Sequence, residues 1–314
     1  MQDPLQQAVS LLIPSGKVVE VRALTDQFIH SGYFDNHDEL VRQVGVIDSD
    51  PGVQGIYLTL NEVNPALLSR RANRIKMRLG KKDATTSDAD ILRRRWLPID
   101  IDPIRPSGVS SSNEEHEKAL QKADVVAAWI SEMGFPDSVK ADSGNGAHLL
   151  YRIDLPNDDE STALMKRCLE VLDALFSDRL VSVDMANFNA GRIWKLYGTV
   201  SRKGDNTTDR PHRQSRIIAA PHTVEVVGTD LLQLMATRIP VTPPDMKDEK
   251  SGLVLTRWLP DHGIAVASEK PYQGGILFAL AECPFSSAHK DGAFAIQFPN
   301  GAVYAGCHHA SCGG

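Results

Sequence analysis

The sequence lacks the features of a membrane or secreted protein. Its 314 residues contain no run of about 18 consecutive apolar residues, the length that a membrane-spanning helix needs. The opening segment, MQDPLQQAVS, lacks the basic region followed by an apolar region that marks a signal peptide. Hydrophobic residues make up 42% of the chain and charged residues 24%, a balance typical of globular proteins. We therefore expect a cytoplasmic protein with no membrane partner, long enough for one large domain or two ordinary ones.

Cysteine is scarce and unevenly placed. The chain has four cysteines, and three of them, Cys283, Cys307 and Cys312, fall within the last 32 residues. This clustering predicts a metal site and does not resemble the disulfide framework of a secreted protein. The fourth, Cys168, follows Leu164 at helical spacing and is expected in the core.

The chain also has no overall excess of positive charge. Its net charge of -6 argues against binding nucleic acid over the whole surface. However, residues 67–96 contain ten Lys or Arg against three Asp, and residues 192–216 contain seven basic residues against two acidic ones. Two basic blocks on an acidic chain predict a confined polyanion site, although solvated helix faces would explain either block alone.

The order of hydrophobic patterns predicts an α/β (α+β) fold with a mixed or antiparallel sheet and flanking helices. The strand-like segments KVVEVRAL and GIYLTL flank a helix-like segment around DNHDELVRQVGVI, and a basic helical stretch follows. The later elements are predicted in this order: a strand at 95–101, a helix from a Ser112/Glu115 capping box to about Met133, a strand pair turned at 143–146, a helix at 160–176, a strand in LVSVDMAN, a short helix in GRIWKLYG, a strand in RIIAAP and a helix in TDLLQLMAT.

A proline-rich, charged segment, RIPVTPPDMKDEKSG, predicts a linker near the end of the chain. We place this linker at 241–252. It would join a larger domain, 1–240, to a small one, 253–314.

Two aspartates stand in the otherwise apolar segment RWLPIDIDP. Asp100 and Asp102 point to the same face because side chains alternate along a strand. Adjacent carboxylates repel each other, and both stay ionised only if a cation lies between them. A hard divalent ion such as Mg²⁺ would serve. A pair of surface carboxylates at a strand end is the alternative.

A glycine-rich turn in DSGNGAHLLY is the second candidate site. Gly144 and Gly146 flank Asn145, so the backbone can turn sharply and present N–H groups to an anion. His148 enters the next strand, where an imidazole can donate to a phosphate. A tight hairpin turn with a buried histidine is the alternative.

A third carboxylate is predicted in VSVDMAN. Asp184 follows an apolar alternation as Asp102 does, and basic residues follow it, among them Arg192 and Lys195. Cations near metal-bridged phosphates would neutralise the charge of phosphoryl transfer. Capping of the next turn is the alternative for Asp184.

Together these motifs resemble those of the archaeo-eukaryotic primase superfamily, specifically the primase-polymerases of phages, plasmids and other mobile elements. Over residues 20–240, the family's motif hhhDhD is similar to 97–102, its s-x-H motif to 146–148 with Ser143 upstream, and its hD motif to 183–184. The stretch RKG…RPHR at 202–213 is similar to one found in such phage proteins. One position departs from the pattern: Gly146 stands where the family often has Ser.

The resemblance implies a role for each candidate residue. The catalytic group would be Asp100, Asp102, Asp184 and His148, with the aspartates holding two Mg²⁺ or Mn²⁺ ions. The nucleoside triphosphate would contact Ser143, Gly144, Asn145, Gly146, His148, Arg192, Lys195 and Lys203. The nucleic acid would contact Arg70, Arg71, Arg74, Lys76, Arg202, Arg210 and Arg213.

The C-terminal cysteines flank a predicted hairpin, FAIQF-PNG-AVYAG. Cys283 and His289 precede it and Cys307 and Cys312 follow it, so the four can converge on one tetrahedral, structural Zn²⁺. Residues 308–309 are two further histidines and alternate ligands. The segment resembles the zinc modules of phage-type primases, which implies help with template recognition or initiation.

The resemblance implies metal-dependent nucleotidyl transfer. The protein would be a DNA primase and template-directed DNA polymerase that uses nucleoside triphosphates on a single-stranded DNA template and primer, initiating replication of a phage, plasmid or other mobile element. Family analogy adds a helicase on the same or another chain. The alternatives are a non-catalytic replication protein that binds an origin or single strands, and a two-metal nuclease.

Overall fold

The structure, a computed structural model, describes residues 3–241, 253–287, 289–309 and 312. The α-helices are α1 (Pro4–Leu12), α2 (His37–Asp48), α3 (Asn113–Glu132), α4 (Asp159–Phe176), α5 (Thr229–Ala236) and α6 (Leu255–Asp261). The strands are β1 (Val19–Leu24), β2 (Ile29–Phe34), β3 (Gly55–Thr59), β4 (Glu62–Val63), β5 (Ile91–Pro103), β6 (Val139–Asp142), β7 (Ala147–Pro156), β8 (Val181–Val183), β9 (Ile193–Lys195), β10 (Val200–Ser201), β11 (Arg213–Gln214), β12 (Arg216–Ala219), β13 (Val266–Tyr272), β14 (Gly275–Leu280), β15 (Ala293–Gln297) and β16 (Val303–Cys307). Short 3-10 helices span Pro65–Arg70, Asp88–Asp90 and Met185–Phe188.

These strands form three larger sheets, in which all the ladders are antiparallel. The first sheet has the order β2-β1-β3-β9, the second β12-β6-β7-β5-β4 with β8 paired to β5, and the third β13-β14-β15-β16. Strands β10 and β11 form a separate two-stranded ribbon. The predicted α/β (α+β) class, with antiparallel sheets and flanking helices, is confirmed.

The second sheet separates two hydrophobic cores. On one face, the odd-numbered side chains Leu97, Ile99 and Ile101 of β5 pack with α3, α4 and α5. On the other face, Trp96 packs with α1, α2 and the first sheet. Because side chains alternate along a strand, Asp100 and Asp102 lie on this second face, toward the first sheet.

Local sequence signals account for the helices next to the second sheet. The Ser112 hydroxyl accepts a hydrogen bond from the Glu115 amide, and the Glu115 carboxylate accepts one from the Ser112 amide, so the predicted capping box begins α3. Asp158 caps α4 by accepting a hydrogen bond from the Ser161 amide, and Gly134, with φ of 88°, follows α3. The predictions for both helices are confirmed to within a few residues.

Two element predictions are wrong. The segment GRIWKLYG was expected to be a short helix, but it contains β9, which pairs with β3. The basic stretch before β5 was expected to be helical, but beyond the 3-10 helix Pro65–Arg70 it consists mainly of loops. In both cases, backbone pairing with distant strands replaces the local helical preference.

The third sheet packs against the helices of the larger unit. One hydrophobic core contains Phe294 and Ile296 together with residues of α3 and α4. The indole N–H of Trp129 donates to the backbone oxygen of His308 at 2.8 Å, and the His308 ring lies 4.9 Å from that of Phe176. The predicted linker, 241–252, lies outside the described residues except for position 241. Within the described part, no helix is both long enough and apolar enough to cross a bilayer.

Candidate functional site

A cavity of about 360 Å³ lies between the first and second sheets. It brings together most of the predicted catalytic and nucleotide-binding side chains, which come from β5, β7, β9 and the loops around them. Those that line it are Asp100, Asp102, Ser143, Asn145, His148, Asp184, Arg192, Lys195 and Lys203.

The strand register places His148 beside the first carboxylate. His148 on β7 is the direct cross-strand partner of Asp100 on β5, and its Nε2 lies 3.3 Å from Asp100 Oδ1. This oxygen is buried and has no hydrogen-bond partner among the described residues. Burying a carboxylate oxygen without a hydrogen bond costs free energy, and a bound cation would offset that cost.

Burial and mutual repulsion shape the charge of the aspartate pair. Burial and then the charge of Asp100 raise the pKa of Asp102. Burial also acts to raise the pKa of Asp100, but the nearby basic side chains of His148, Lys203 and Arg105 hold it below its ordinary value. The cavity therefore concentrates negative charge on Asp100, and a divalent cation would stabilise the ionised form of both carboxylates.

The third carboxylate reaches the same cavity from β8. The Asp184 amide donates to the backbone oxygen of Asp100 at 2.9 Å, which fixes the two chains beside each other. Asp184 Oδ1 accepts the amide of Ala186 at 2.8 Å, so the predicted alternative, a turn cap, is also present. Its Oδ2 lies 3.2 Å from Arg192.

Each of the three carboxylates has a basic side chain beside it in the protein. Asp100 has His148, Asp102 has Arg105 at 3.1 Å, and Asp184 has Arg192. In the described part of the chain, only the C-terminal Cys/His group brings together three or more ligand atoms of His, Cys, Asp or Glu within 4.8 Å of one another. The carboxylates therefore stand further apart than the ligands of a closed metal site.

The glycine-rich turn differs from the prediction. Its N–H groups were expected to face an anion, but all four are used inside the protein: Gly144 donates to Asp142, Asn145 and Gly146 donate to the Ser143 hydroxyl, and the Ser143 amide donates to the Gly146 oxygen. The turn positions its neighbours, and Ser143 is the acceptor that holds it together.

Gly146 approaches the aspartate strand closely. A Cβ at this position would lie 2.5 Å from the backbone oxygen of Ile101 and 3.0 Å from Asp102 Oδ1. This geometry explains why glycine stands where the resembled motif often has serine. The room that a side chain would take is filled by β5.

A buried chain of aromatic residues orients His148. The indole N–H of Trp194 donates to the Tyr197 hydroxyl at 2.8 Å, and this hydroxyl lies 2.9 Å from His148 Nδ1. Because the indole can only donate, the hydroxyl proton is free to point to Nδ1, which favours the tautomer with its proton on Nε2, toward Asp100. No local sequence signal marks the contact between Tyr197 and His148, because it depends on the strand register.

Two lysines enter the cavity in different states. Lys195 is 4% exposed, donates to Thr199 Oγ1 and to the Val200 oxygen, and has a pKa lowered to about 7, mainly by burial. The Lys203 ammonium has no hydrogen-bond or ion-pair partner among the described residues, although its charge lowers the pKa of Asp100. Lys203 is therefore the free cation of this site, whereas Lys195 is bound within the wall.

The basic residues of the RKG…RPHR stretch hold loops around the cavity. Arg202 lies 3.1 Å from Asp48, and Arg210 binds Glu115 with both terminal nitrogens. Arg213 donates to the Ser111 oxygen at 2.9 Å. Their guanidinium groups are thus engaged in protein contacts, which stabilise the loop that carries Lys203.

The four predicted template contacts in the first basic block have different surroundings. Arg71 is 3% exposed and lies 3.5 Å from buried Glu20, so its expected contact with a template is corrected: the side chain lies inside the protein. Arg70 lies 3.8 Å from Asp90, and Lys76 binds Asp83 at 2.7 Å. Arg74 is exposed and has no side-chain partner in the described residues.

The predicted zinc ligands converge at the end of the third sheet. The Sγ atoms of Cys283 and Cys312 are 3.7 Å apart, and His289 Nε2 lies 3.3 Å from the sulfurs of both Cys307 and Cys312. In a tetrahedral zinc site, sulfurs are about 3.8 Å apart, and a sulfur and a nitrogen are about 3.5 Å apart. The cluster could therefore hold a zinc ion.

The two alternate histidine ligands lie differently. His309 Nδ1 is 3.4 Å from the sulfur of Cys307, and its ring stacks on that of His289. His308 packs its ring against Phe176, and burial lowers its pKa to about 4. His309 is thus beside the ligand cluster, while His308 serves the contact with α4.

Comparison with known proteins finds a weak likeness in structure and no family for this chain. No protein-family model matches it, and no curated protein matches it. One solved structure that it resembles is described as "Crystal structure of primase RepB'", with a TM-score of 0.40 and 11% sequence identity. The match covers 74% of this chain and 62% of that one, less than two thirds of its length. A likeness this weak carries no argument about function.

Proposed function

We propose that the protein belongs to the archaeo-eukaryotic primase superfamily and carries out metal-dependent nucleotidyl transfer. It would act as a DNA primase and template-directed DNA polymerase on single-stranded DNA, and initiate replication of a phage, plasmid or other mobile element. The observation that carries the proposal is one cavity that collects Asp100, Asp102, Asp184 and His148 with a free lysine. A carboxylate cluster of this kind repels phosphates unless metal ions neutralise it.

The residues fit a divalent metal, because Asp100 Oδ1 is a buried oxygen with no hydrogen bond from the described residues and its neighbour is a second aspartate. Asp100, Asp102 and Asp184 would hold Mg²⁺ or Mn²⁺ in a two-metal site. When bound, such ions stabilise the attacking and leaving oxygens of an in-line displacement. To bind them, Asp102 and Asp184 would exchange Arg105 and Arg192 for the ions.

The chain's own cations would then bind the triphosphate. Lys203 can reach a phosphate without breaking a contact within the described protein. The Nε2–H group of His148 would donate a hydrogen bond to a phosphate oxygen. Arg105 and Arg192, once released from the aspartates, would add further positive charge. Ser143 and Asn145 would shape the wall behind the nucleotide.

We propose further that Cys283, His289, Cys307 and Cys312 bind a structural Zn²⁺ in a small domain at 253–314, joined by a linker at 241–252 to a catalytic domain at 1–240. A helicase on the same or another chain would open the template.

The arginine–aspartate pairs favour a second candidate, a replication protein that binds an origin or single strands without catalysis, because they neutralise two of the carboxylates without a metal.

A primer-extension assay tests the proposal. Purified protein is incubated with a primed single-stranded template, labelled nucleotides and Mg²⁺ or Mn²⁺, and unprimed template tests initiation. We expect extension, and we expect Asp100→Asn to lower its rate by at least about a hundredfold while the protein stays folded. Asp261→Asn, at an exposed carboxylate on α6, is the matched control. Equal extension by wild type and Asp100→Asn would overturn the proposal, and binding without extension would favour the second candidate.

A further inference from the structure

One exposed surface next to the cavity combines aromatic, apolar and basic side chains. It consists of the tip of the β1–β2 hairpin and the loop that packs beside it. We call it the tip patch and define it by Phe28, Arg74, Met77, Arg78, Lys81 and Lys82. The apolar members are unusually open to solvent: Phe28 is 38% exposed and Met77 is 50% exposed.

The positive charge of the tip patch is not neutralised by the protein. Arg74, Lys81 and Lys82 are exposed and have no side-chain partner among the described residues. The nearest acidic groups in sequence already have partners, since Asp83 accepts Lys76 and the Gly80 amide, and Asp26 accepts the side-chain amide of Gln54. With Arg78, the patch therefore presents four cations that have no acidic partner among the described residues, which differs from the paired arginines around the cavity.

The aromatic ring is held in place by one of these cations. The guanidinium of Arg78 lies over the Phe28 ring, 5.1 Å from its centroid. The backbone amide of Arg78 donates to His30 Nδ1 at 2.9 Å, and the amide of Leu79 donates to the Ile29 oxygen at 2.8 Å. The loop is thus bound to β2 by its backbone, so the ring and the cations keep a fixed arrangement before any ligand arrives.

The tip patch begins at the wall of the candidate active site. Leu24, the last residue of β1, lines the cavity, and its cross-strand partner is Ile29, which follows Phe28 directly. Cross-strand partners have Cα atoms about 4.5–5.5 Å apart. A polymer that leaves the cavity past Leu24 would therefore meet Phe28 after a distance of about one nucleotide.

We propose that the tip patch binds a single-stranded polynucleotide, with a base stacked on Phe28 and phosphates held by Lys81, Lys82 and Arg74. An exposed ring beside unpaired cations is the chemistry that binds single strands without sequence preference. A duplex has no free base face to offer the ring. The inference deepens the proposed function, on which it rests for the class of ligand. It keeps Arg74 as a nucleic-acid contact and replaces Arg70, Arg71 and Lys76 by Phe28 and residues 77–82.

Binding measured without nucleotides or added divalent ions tests the proposal. The probe is a fluorescein-labelled oligothymidylate of about 16 nucleotides, followed by fluorescence anisotropy over a series of salt concentrations. We expect Phe28→Ala to weaken binding between about fivefold and about a hundredfold. We expect K81Q/K82Q to reduce the slope of log K against log salt by about 1.4, since each phosphate contact on a single strand contributes about 0.7.

Matched variants far from the patch provide the controls. Val125→Ala shortens an apolar side chain that is 43% exposed on α3, and K118Q/R179Q removes two exposed cations near α3 and α4. Both should bind like wild type. If Phe28→Ala and K81Q/K82Q also bind like wild type, or if a duplex of the same length binds as tightly as the single strand, the proposal is wrong.

The same proteins in primer extension separate this inference from the proposed function. Extension by wild type together with normal binding by the tip variants would overturn the tip patch and leave the enzyme assignment standing. Weakened binding by the tip variants in a protein that does not extend primers would support the tip patch and overturn the assignment.

Discussion

Replacing Gly146 by alanine tests how closely the glycine-rich turn approaches the strand of Asp100 and Asp102. The new Cβ would lie 2.5 Å from the Ile101 backbone oxygen, well inside van der Waals contact. The φ angle of Gly146 lies outside the left-handed region, so alanine adds no backbone strain, and the effect isolates the contact. The oxygen belongs to a strand that pairs on both sides, with β7 and β8, and cannot move alone.

Overpacking of a tight interior contact costs about 1–3 kcal/mol in free energy of unfolding. For a domain of this size, each kcal/mol lowers Tm by about 2–4 °C. The displaced strand also carries Asp102, whose Oδ1 would be 3.0 Å from the new carbon, so any extension activity should fall as well. The assays are thermal unfolding followed by circular dichroism, and primer extension at a temperature where the variant is folded.

Gly45→Ala is the matched control. Gly45 lies inside α2, and a Cβ there would meet nothing within 4 Å. Alanine should raise the free energy of unfolding by about 0.5–1 kcal/mol, because glycine weakens a helix interior. Equal stability of Gly146→Ala and wild type, beside a stabilised Gly45→Ala, would refute the close approach of the turn to β5.

Three further predictions concern side chains whose surroundings are unusual. Lys195 has a pKa of about 7 in the folded protein against 10.5 when exposed, so the folded state binds fewer protons than the unfolded chain between these values. The free energy of unfolding of wild type should therefore rise with pH across this window relative to Lys195→Met, and parallel curves would contradict the burial of the ammonium. Zinc analysis should find about one ion per chain in wild type and in Cys168→Ala but a loss in Cys312→Ser, because only the latter residue lies in the ligand cluster. Tyr197→Phe should cost about 1–3 kcal/mol by leaving buried groups unpaired, and nitrogen-15 NMR should show His148 losing its preference for the Nε2–H tautomer; an unchanged tautomer would argue against the aromatic chain.

Elements with strong local signals could be predicted from the sequence. The capping box at Ser112, the alternation in β5 and the hairpin turn at 143–146 depend on neighbours in the chain, and the structure contains all three. The strand in GRIWKLYG could not be found in this way, because it forms by pairing Lys195 with Tyr57, far away in sequence. Local preference alone favours a helix there.

In the candidate site, too, some features follow from the local sequence and others depend on residues far away in the chain. Alternation along a strand places Asp100 and Asp102 on one face, but only the register of β5 and β7 sets His148 opposite Asp100. Counting basic residues in the sequence revealed the two basic blocks, but it did not show which of these side chains bind acidic groups of the protein. Arg71 is buried because Glu20, 51 residues earlier, faces it across the sheet edge, and nothing in the sequence near Arg71 indicates that.

The contact between the third sheet and the helices behind β5 has a thermodynamic consequence. Because Trp129 and Phe176 pack on His308, which directly follows Cys307 of the candidate zinc cluster, the C-terminal segment and the larger unit share one core. Units that share a core unfold cooperatively. Zinc binding at the cysteines would then be linked to the stability of the strand that bears Asp100 and Asp102, although the two clusters have no residue in common. A single melting transition that moves as a whole with zinc concentration is the signature of this linkage.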